Sequence, residues 1–176
     1  IMNRAYITPK RIVTKYAGCK NNLIKDEHYL LERGNGQSEM NRKKCCIMTS
    51  TETEKASLLL DFGSELHGGL KLVMGSSSRR EPSLVRIRFG ESVGEANSTT
   101  SNTEWKVGFS TDDHAKRDII MEIPRDGMIE IGNTGFRFVR LDLLQNNATI
   151  SLKEISAILR YRDIPYLGSF ECNDQR

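Results

Sequence analysis

The sequence predicts an all-β fold, an antiparallel β-sandwich with jelly-roll topology. Three observations predict it. Apolar and polar residues alternate in several short segments, which is the period of a half-buried strand. Turn signals rich in Gly, Asn and Asp separate these segments at short intervals. No segment has the apolar spacing of a helix of three or more turns. Many short strands between turns are typical of two packed antiparallel sheets, and we expect about ten strands.

The strongest strand signals lie in the middle of the chain. Three alternating apolar sets are Leu58/Leu60/Phe62, Leu70/Leu72/Met74 and Val85/Ile87/Phe89. Residues 119–123 repeat the pattern, and so do residues 154–161, whose polar positions Glu154, Ser156 and Arg160 are expected on the opposite face. In residues 136–143 the apolar parity changes, which indicates a bulge or a strand buried on both faces.

Turns are expected between these strands where Gly and Asn residues cluster. The expected turns are Gly68-Gly69, Gly75–Ser78, Arg125–Gly127 and Asn146-Asn147. We expect residues 92–116 to form a long polar loop that holds the chain's one tryptophan, Trp105. Loops longer than ~12–15 residues in a compact domain tend to be functional or disordered.

The first 46 residues carry weaker strand signals joined by polar connections. The segments are Arg11–Lys15, Tyr29–Arg33 and Lys44–Met48. We expect residues 1–46 to complete the sandwich or to lean on it, and residues 47–166 to form the sandwich proper. The adjacent cysteines Cys45 and Cys46 fall in one of these strands, so one thiol is expected to be buried and the other exposed.

Composition excludes several classes of function. The net charge of +3 is slight. Neither interleaved aromatics nor a recognition helix accompanies the basic residues, so we expect no nucleic-acid partner. No run of ~18 apolar residues is present, so we expect no membrane partner. The four cysteines have neither the spacing of a zinc site nor that of a disulfide framework.

Five blocks carry a resemblance to a known family. They are DFGSELHGGLKLV (Asp61–Val73), VRIRFGESVGEA (Val85–Ala96), STDDHAKRD (Ser110–Asp118), GNTGFRFVRLDLL (Gly132–Leu144) and YRDIPYLGSFECND (Tyr161–Asp174). In this order and spacing they resemble the N-terminal β-sandwich region of bacterial α-L-rhamnosidases and their close relatives. The resemblance covers roughly residues 56–176. It implies a galactose-binding-like β-sandwich.

The resemblance also implies a role. Proteins of this family are multi-domain inverting glycoside hydrolases whose (α/α)6 barrel carries two acidic catalytic residues, held ~6.5–9.5 Å apart for inversion. A GSFECND-like segment leads from the sandwich into that barrel. We therefore expect residues 167–176 to begin a linker, the barrel to lie outside this chain, and the chain itself to be inactive, with no catalytic residue.

The resemblance also implies partners and a location for the chain. The expected role is to brace the barrel of the same parent chain, with rhamnose-containing glycans as further partners. It favours a bacterial, periplasmic or extracellular location over a cytoplasmic one. Two other functions stay open: a stand-alone carbohydrate-binding module, and a protein-interaction sandwich.

Asp61, Glu65 and His67 form the first candidate site, at the DFGSELHGG corner. They are candidates for hydrogen bonds to a sugar or for the surface that meets the barrel. The alternative, which we favour, is structural. A carboxylate at a strand end beside two glycines more often caps backbone amides and fixes a turn.

The long loop holds the other candidates. Asp112, Asp113 and His114 close it, and Glu91 and Glu95 stand at its beginning. Such oxygen-rich loops can bind calcium, which takes six to eight oxygen ligands. No other cofactor is expected. The alternative is a set of Asp–Arg pairs that pins the loop.

Two further sets of side chains leave a functional and a structural interpretation open. Trp105 can stack on a pyranose face, or it can anchor its loop. Four arginines alternate with apolar residues on strands: Arg86, Arg88, Arg137 and Arg140. They can form a basic stripe, but we favour a charge-paired outer sheet face with Glu91, Asp118 or Asp142.

Overall fold

The computed structural model describes residues 2–19, 22–39, 42–98, 117–165 and 167–173. In these ranges the chain forms nine antiparallel strands. They are β1 (Asn3–Ile7), β2 (Arg11–Tyr16), β3 (Ile24–Lys25), β4 (Cys46–Thr49), β5 (Ser57–Ser77), β6 (Ser83–Gly90), β7 (Asp118–Ile123), β8 (Gly127–Leu143) and β9 (Thr149–Tyr161). The helical content of the same ranges is one 3-10 turn, Glu27–Leu31, and one short helix, α1 (Val93–Asn97). The predicted all-β antiparallel fold is confirmed.

Two long strands, β5 and β8, belong to both layers of the sandwich. In the first layer, residues 57–61 of β5 lie between β2 and the end of β8. The other side of β8 pairs with β6, and β6 pairs with β7. In the second layer, residues 68–77 of β5 lie between the start of β8 and β9. Beside β9 stand β1 and β4, and β3 pairs with β4.

The register between β5 and β8 shifts where the two strands change layers. Asp61 pairs with Phe138, but the next pair is Leu66 with Phe136, so four residues of β5 stand opposite one of β8. Such a bulge bends a strand and increases its twist. It also explains the parity change predicted for residues 136–143, because Phe136 and Val139 both face the core while Phe138 packs outside it against Leu59.

The core lies between the layers. Its members are the inward residues of both, including all three alternating sets predicted from the sequence. Three phenylalanines from different strands meet at the bend. The Phe136 ring meets the Phe62 ring edge-on at 5.8 Å between centroids and the Phe89 ring at 5.0 Å. Edge-to-face pairs of this kind add to the stabilisation from burial.

The predicted turn at Gly68-Gly69 is wrong, because both glycines lie inside β5. The backbone passes so close to its neighbours there that a Cβ on Gly68 would stand 1.6 Å from the carbonyl oxygen of Ile158. A Cβ on Gly69 would stand 2.6 Å from the carbonyl oxygens of Ile131 and Gly132. The glycines permit close strand approach at a second register shift of β5, rather than a reversal of the chain.

Two local predictions in the first half of the chain also need correction, and one strand was missed. In the segment predicted as a strand, Tyr29–Arg33, the first three residues end the 3-10 turn and the last two follow it, and the turn buries a single side chain, Leu30. Cys45 and Cys46 are both buried, because Cys45 precedes β4 rather than alternating within it. Strand β1 was not predicted. No helix of the described ranges is long and apolar enough to cross a membrane.

The face of β9 opposite the core is buried rather than exposed. Glu154 and Ser156 point away from the core, yet they are 6% and 3% exposed. We call this surface the outer face of the second layer. It continues over those side chains of β1, β5 and β8 that point away from the core. Residues 34–39 cross part of it, since the Gly36 amide donates to Glu154 and the Ser38 hydroxyl donates to the Met74 carbonyl.

Candidate functional site

Asp61 lies at the bend of β5 and is buried. Its carboxylate accepts hydrogen bonds from Arg137 Nε at 2.8 Å, from Arg137 Nη2 at 3.0 Å and from Arg11 Nε at 2.9 Å. It also accepts one from the amide of Gly63 at 2.8 Å. The hydrogen bonds from Arg137 hold the pKa of Asp61 well below its ordinary value. Asp61 thereby ties β2, β5 and β8 together at the point where the layers meet.

Glu65 and His67 stand on the exposed side of the same bend. His67 pairs with Gly135 of β8. The Oε1 atoms of Glu65 and Glu91 lie 3.7 and 3.8 Å from the position that a Cβ on Gly135 would occupy. The fold therefore brings Glu91, from the start of the long loop, to the corner that holds Glu65 and His67. A Cβ on Gly135 would be in ordinary van der Waals contact with both carboxylates.

Two arginines, the buried Arg88 and the half-buried Arg117, hold both ends of that loop at this corner. Arg88 donates from Nη1 to the carbonyls of Asn97 and Ser98, both at 3.1 Å. At the other end, Arg117 donates to Glu91 at 3.0 Å and also to Glu95. The ends of the loop are thus fixed beside Glu65 and His67 although they are far apart in sequence.

Four of the predicted site residues lie outside the described residues. They are Trp105, Asp112, Asp113 and His114. Within the described ranges, no group of three or more His, Cys, Asp or Glu side chains is placed to hold a metal ion. Glu91 and Glu95 are instead engaged with Arg117. A calcium site in the loop stays a prediction.

A row of side chains connects this corner with the outer face of the second layer. Arg4 of β1 pairs with Arg160 of β9. Gly68 of β5 pairs with Leu159 of β9 in antiparallel register. The next residues along the two strands, His67 and Arg160, therefore stand side by side. The Arg160 Nη1 atom donates to Asn133 Oδ1 at 2.9 Å. A row of polar side chains thus crosses the sheet from β1 over β9 and β5 to β8.

Sequence reasoning missed an ion pair buried beneath this surface. The Lys71 Nζ atom lies 2.9 Å from Glu154 Oε1, and their side chains are 9% and 6% exposed. Burial alone would raise the pKa of Glu154, but hydrogen bonds from Ser156 and Lys71 outweigh it and hold that pKa below its ordinary value. The available signal was Lys71 itself, a lone charge inside the apolar run LKLV.

The predicted charge pairing of the arginines is confirmed. Arg86 binds Asp118 through two nitrogens. Asp142 accepts from Arg88 at 2.7 Å and from Arg140 at 2.9 Å. Arg137 is the exception to the predicted partners, since it binds Asp61 across the bend. These cations are therefore neutralised by neighbours on the sheet and do not form an open basic stripe.

Comparison with solved structures identifies the architecture. A Klebsiella oxytoca rhamnosidase with rhamnose bound superposes with a TM-score of 0.60 at 14% identity, over 91% of this chain and 29% of that one. A serum fucolectin from striped bass, Morone saxatilis, superposes with a TM-score of 0.54 at 15% identity, over 88% and 49%. A Streptococcus pneumoniae fucose-binding module superposes with a TM-score of 0.51 at 11% identity, over 89% of this chain and 96% of the module.

The similarity to known proteins is one of fold rather than of sequence. No protein-family model matches it, and no curated protein matches it in sequence. The chain spans less than a third of the rhamnosidase and about half of the fucolectin. At these identities the similarity extends to the fold. The chain is an antiparallel all-β sandwich of the galactose-binding-like type, the architecture that lectin modules share with a domain of a rhamnosidase.

Proposed function

We propose that the chain is a non-catalytic accessory sandwich of an α-L-rhamnosidase-like glycoside hydrolase, which braces the catalytic (α/α)6 barrel of the same parent protein. The observation that carries this proposal is the match to the K. oxytoca enzyme. Nearly all of this chain superposes on less than a third of that larger protein. The five sequence blocks, which resemble the same family, give independent support.

The segment after β9 supports a contact with a further domain. Ile164, Leu167 and Phe170 are 71%, 95% and 90% exposed. Large apolar side chains that cluster at the surface mark sites of interaction with other proteins or domains. They lie in the IPYLGSF segment (residues 164–170), in the middle of the last block of the resemblance. This segment is the proposed contact with the barrel.

The test of this proposal has two parts. The coding sequence that follows the Arg176 codon in the genome should encode some hundreds of helical residues with paired acidic motifs. The purified chain should release no nitrophenol from an aryl α-L-rhamnoside. A downstream sequence without a helical domain, or turnover by the chain alone, contradicts the proposal.

A carbohydrate-binding module is the second candidate function, and a specific observation favours it. The pneumococcal fucose-binding module is matched over 96% of its own length, so the two are units of the same size and fold. Titration of the chain with rhamnosides and fucosides, in calcium and in chelator, tests this function. Heat release on titration supports a binding module, and its absence in both conditions contradicts one.

A further inference from the structure

Tyr6 presents an aromatic ring in a fixed orientation on the outer face of the second layer. Ile7, the next residue of β1, packs against the core, so Tyr6 points outward. The Tyr6 hydroxyl donates to Glu130 Oε1 at 2.9 Å. The ammonium of Lys71 stands 4.2 Å from the ring centroid, within cation–π distance. The residue is nevertheless 46% exposed.

This arrangement differs from that of an ordinary exposed tyrosine. The hydroxyl contact and the buried Lys71–Glu154 pair order the ring before any ligand arrives. A contact surface that is ordered in the free protein loses less conformational entropy on binding. Tyrosine supplies a flat apolar face with few rotatable bonds, which suits the apolar face of a sugar ring.

The groups around Tyr6 can meet hydroxyl groups. Arg160 and Asn133 offer guanidinium and amide groups along the row that leads to His67. Glu130 offers a carboxylate on the other side. Vicinal hydroxyls of a pyranose both donate and accept, so paired donors and acceptors beside a flat ring match them.

The charges of this surface favour a neutral ligand. Arg4 is paired with Glu130 and Lys71 with Glu154, whereas Arg160 donates to the neutral amide of Asn133. A cation paired with a carboxylate offers little net field to an anion. Two of these three cations are therefore compensated, and hydroxyl groups of an uncharged pyranoside can accept from the remaining N–H groups of Arg160.

We propose that the outer face of the second layer holds a binding site for a neutral pyranoside, which stacks on Tyr6 and hydrogen-bonds to the Arg160–Asn133 pair. The site rests on the second proposed function, carbohydrate binding, and places it on β1, β8 and β9 rather than on the long loop. Tyr6 was not among the residues that the sequence indicated.

The experiment measures binding of methyl α-L-rhamnopyranoside and methyl α-L-fucopyranoside to the whole chain by calorimetry and saturation-transfer NMR. Tyr6→Ala should weaken binding about tenfold or more, the factor that corresponds to ~1.4 kcal/mol. Tyr6→Phe, which keeps the ring, should stay within about threefold of the unmodified chain. Tyr16→Ala is the matched control, because Tyr16 is equally exposed at 44% but lies on β2 of the first layer.

A second variant and a charged ligand complete the design. Asn133→Ala changes an exposed side chain of the site and should weaken binding severalfold. This variant still tests the site if Tyr6→Ala does not fold. Methyl galacturonide, an acidic pyranoside, should bind more weakly than the neutral sugars. Tighter binding of the acidic sugar contradicts the neutral ligand class.

The remaining outcomes separate this site from the function on which it rests. If the chain binds a neutral sugar and Tyr6→Ala binds it equally well, the site is elsewhere and the carbohydrate-binding function stands. If the unmodified chain binds neither glycoside, the site and the carbohydrate-binding function both fail, while the bracing function is untouched.

Discussion

The carboxylate of Asp61 and the guanidinium of Arg137 form a two-point hydrogen bond, at 2.8 and 3.0 Å, where β5 and β8 cross from one layer to the other. Arg137 is the single β8 residue between the two register pairs that flank the bulge. Bidentate pairs of this kind fix orientation as well as distance. The contact therefore holds the angle between the layers, and with it the corner that carries Glu65 and His67.

Asp61→Asn should destabilise the fold. The amide removes the charge that two arginines face and can satisfy fewer of their donors. We expect a loss of about 2–3 kcal/mol, moderated because both arginines are partly exposed. Urea unfolding followed by circular dichroism measures it. Asp163→Asn, an exposed residue after β9, is the control and should change stability by less than about 0.5 kcal/mol. Equal stability of the two variants would contradict this role for Asp61.

Acid should destabilise the protein below about pH 4. The pKa values of Asp61, Glu130 and Glu154 are all lowered in the folded state. In the unfolded chain such groups titrate at about 3.9 (Asp) and 4.3 (Glu). Below these pKa values the unfolded state binds more protons than the folded state, so the free energy of unfolding falls as the pH falls. Above them all three groups are ionised in both states, and their contribution to stability is fully present. Urea midpoints from pH 7 to pH 3 measure this, and Asp61→Asn should show a shallower fall than the unmodified chain.

Lys71→Met should be more damaging than removal of both charges. The single change leaves Glu154 buried without its cation, which costs about 3–5 kcal/mol. The double variant Lys71→Met/Glu154→Gln removes both charges and keeps a side chain that can accept from the Gly36 amide. It should recover at least half of that loss. A double variant less stable than the single one would show that the pair itself stabilises the fold.

Gly68→Ala should disrupt the sheet, whereas Gly135→Ala should be tolerated. A methyl group on Gly68 would collide with the Ile158 carbonyl at 1.6 Å, so β5 and β9 would have to separate. On Gly135 it would meet its nearest atoms at 3.7 and 3.8 Å, which is ordinary contact. We expect a loss of about 3 kcal/mol or more for the first and less than about 1 kcal/mol for the second. Thermal unfolding compares them, and similar melting temperatures would contradict the close approach of the strands.

Two of the four cysteines should react quickly with a thiol reagent at pH 8. Cys19 and Cys172 are exposed, and Cys45 and Cys46 are buried. Burial raises the pKa of the Cys46 thiol to about 12 and also raises that of Cys45, so neither forms the reactive thiolate. Ellman's reagent should titrate two thiols in the native protein and four in urea. The Cys19→Ser/Cys172→Ser variant should show no fast reaction, and a fast third thiol in the unmodified chain would contradict the buried positions.

The strands with regular alternation were predictable because a half-buried strand places every second residue in the core. This rule identified the inward sets on β5, β6 and β9, and it also predicted the arginine–carboxylate pairs that cover β6 and β8. The strand signal failed at Tyr29–Arg33, where one buried leucine anchors a 3-10 turn. The turn signal failed at Gly68-Gly69, where a glycine pair serves close packing rather than a turn.

The candidate site was predictable only in its parts. Glu65, His67 and Glu91 were recognised as separate polar residues at the ends of strands. Their convergence depends on the bulge between Asp61 and Leu66, which sets where β5 turns toward the second layer. A shift of one residue in strand register would move every side chain to the other face, and a local pattern does not encode such long-range pairing.

By itself, the sequence determined an all-β chain, the core-facing residues of its main strands and the resemblance in its five blocks. Only the tertiary structure decided that β5 and β8 serve both layers, that Lys71 and Glu154 form a buried pair, and that Tyr6 lies against Lys71 and Glu130. The reason is physical. Alternation within a strand follows from local geometry, whereas contacts between strands distant in sequence follow from bulges, turns and close backbone approach, which appear when the layers pack.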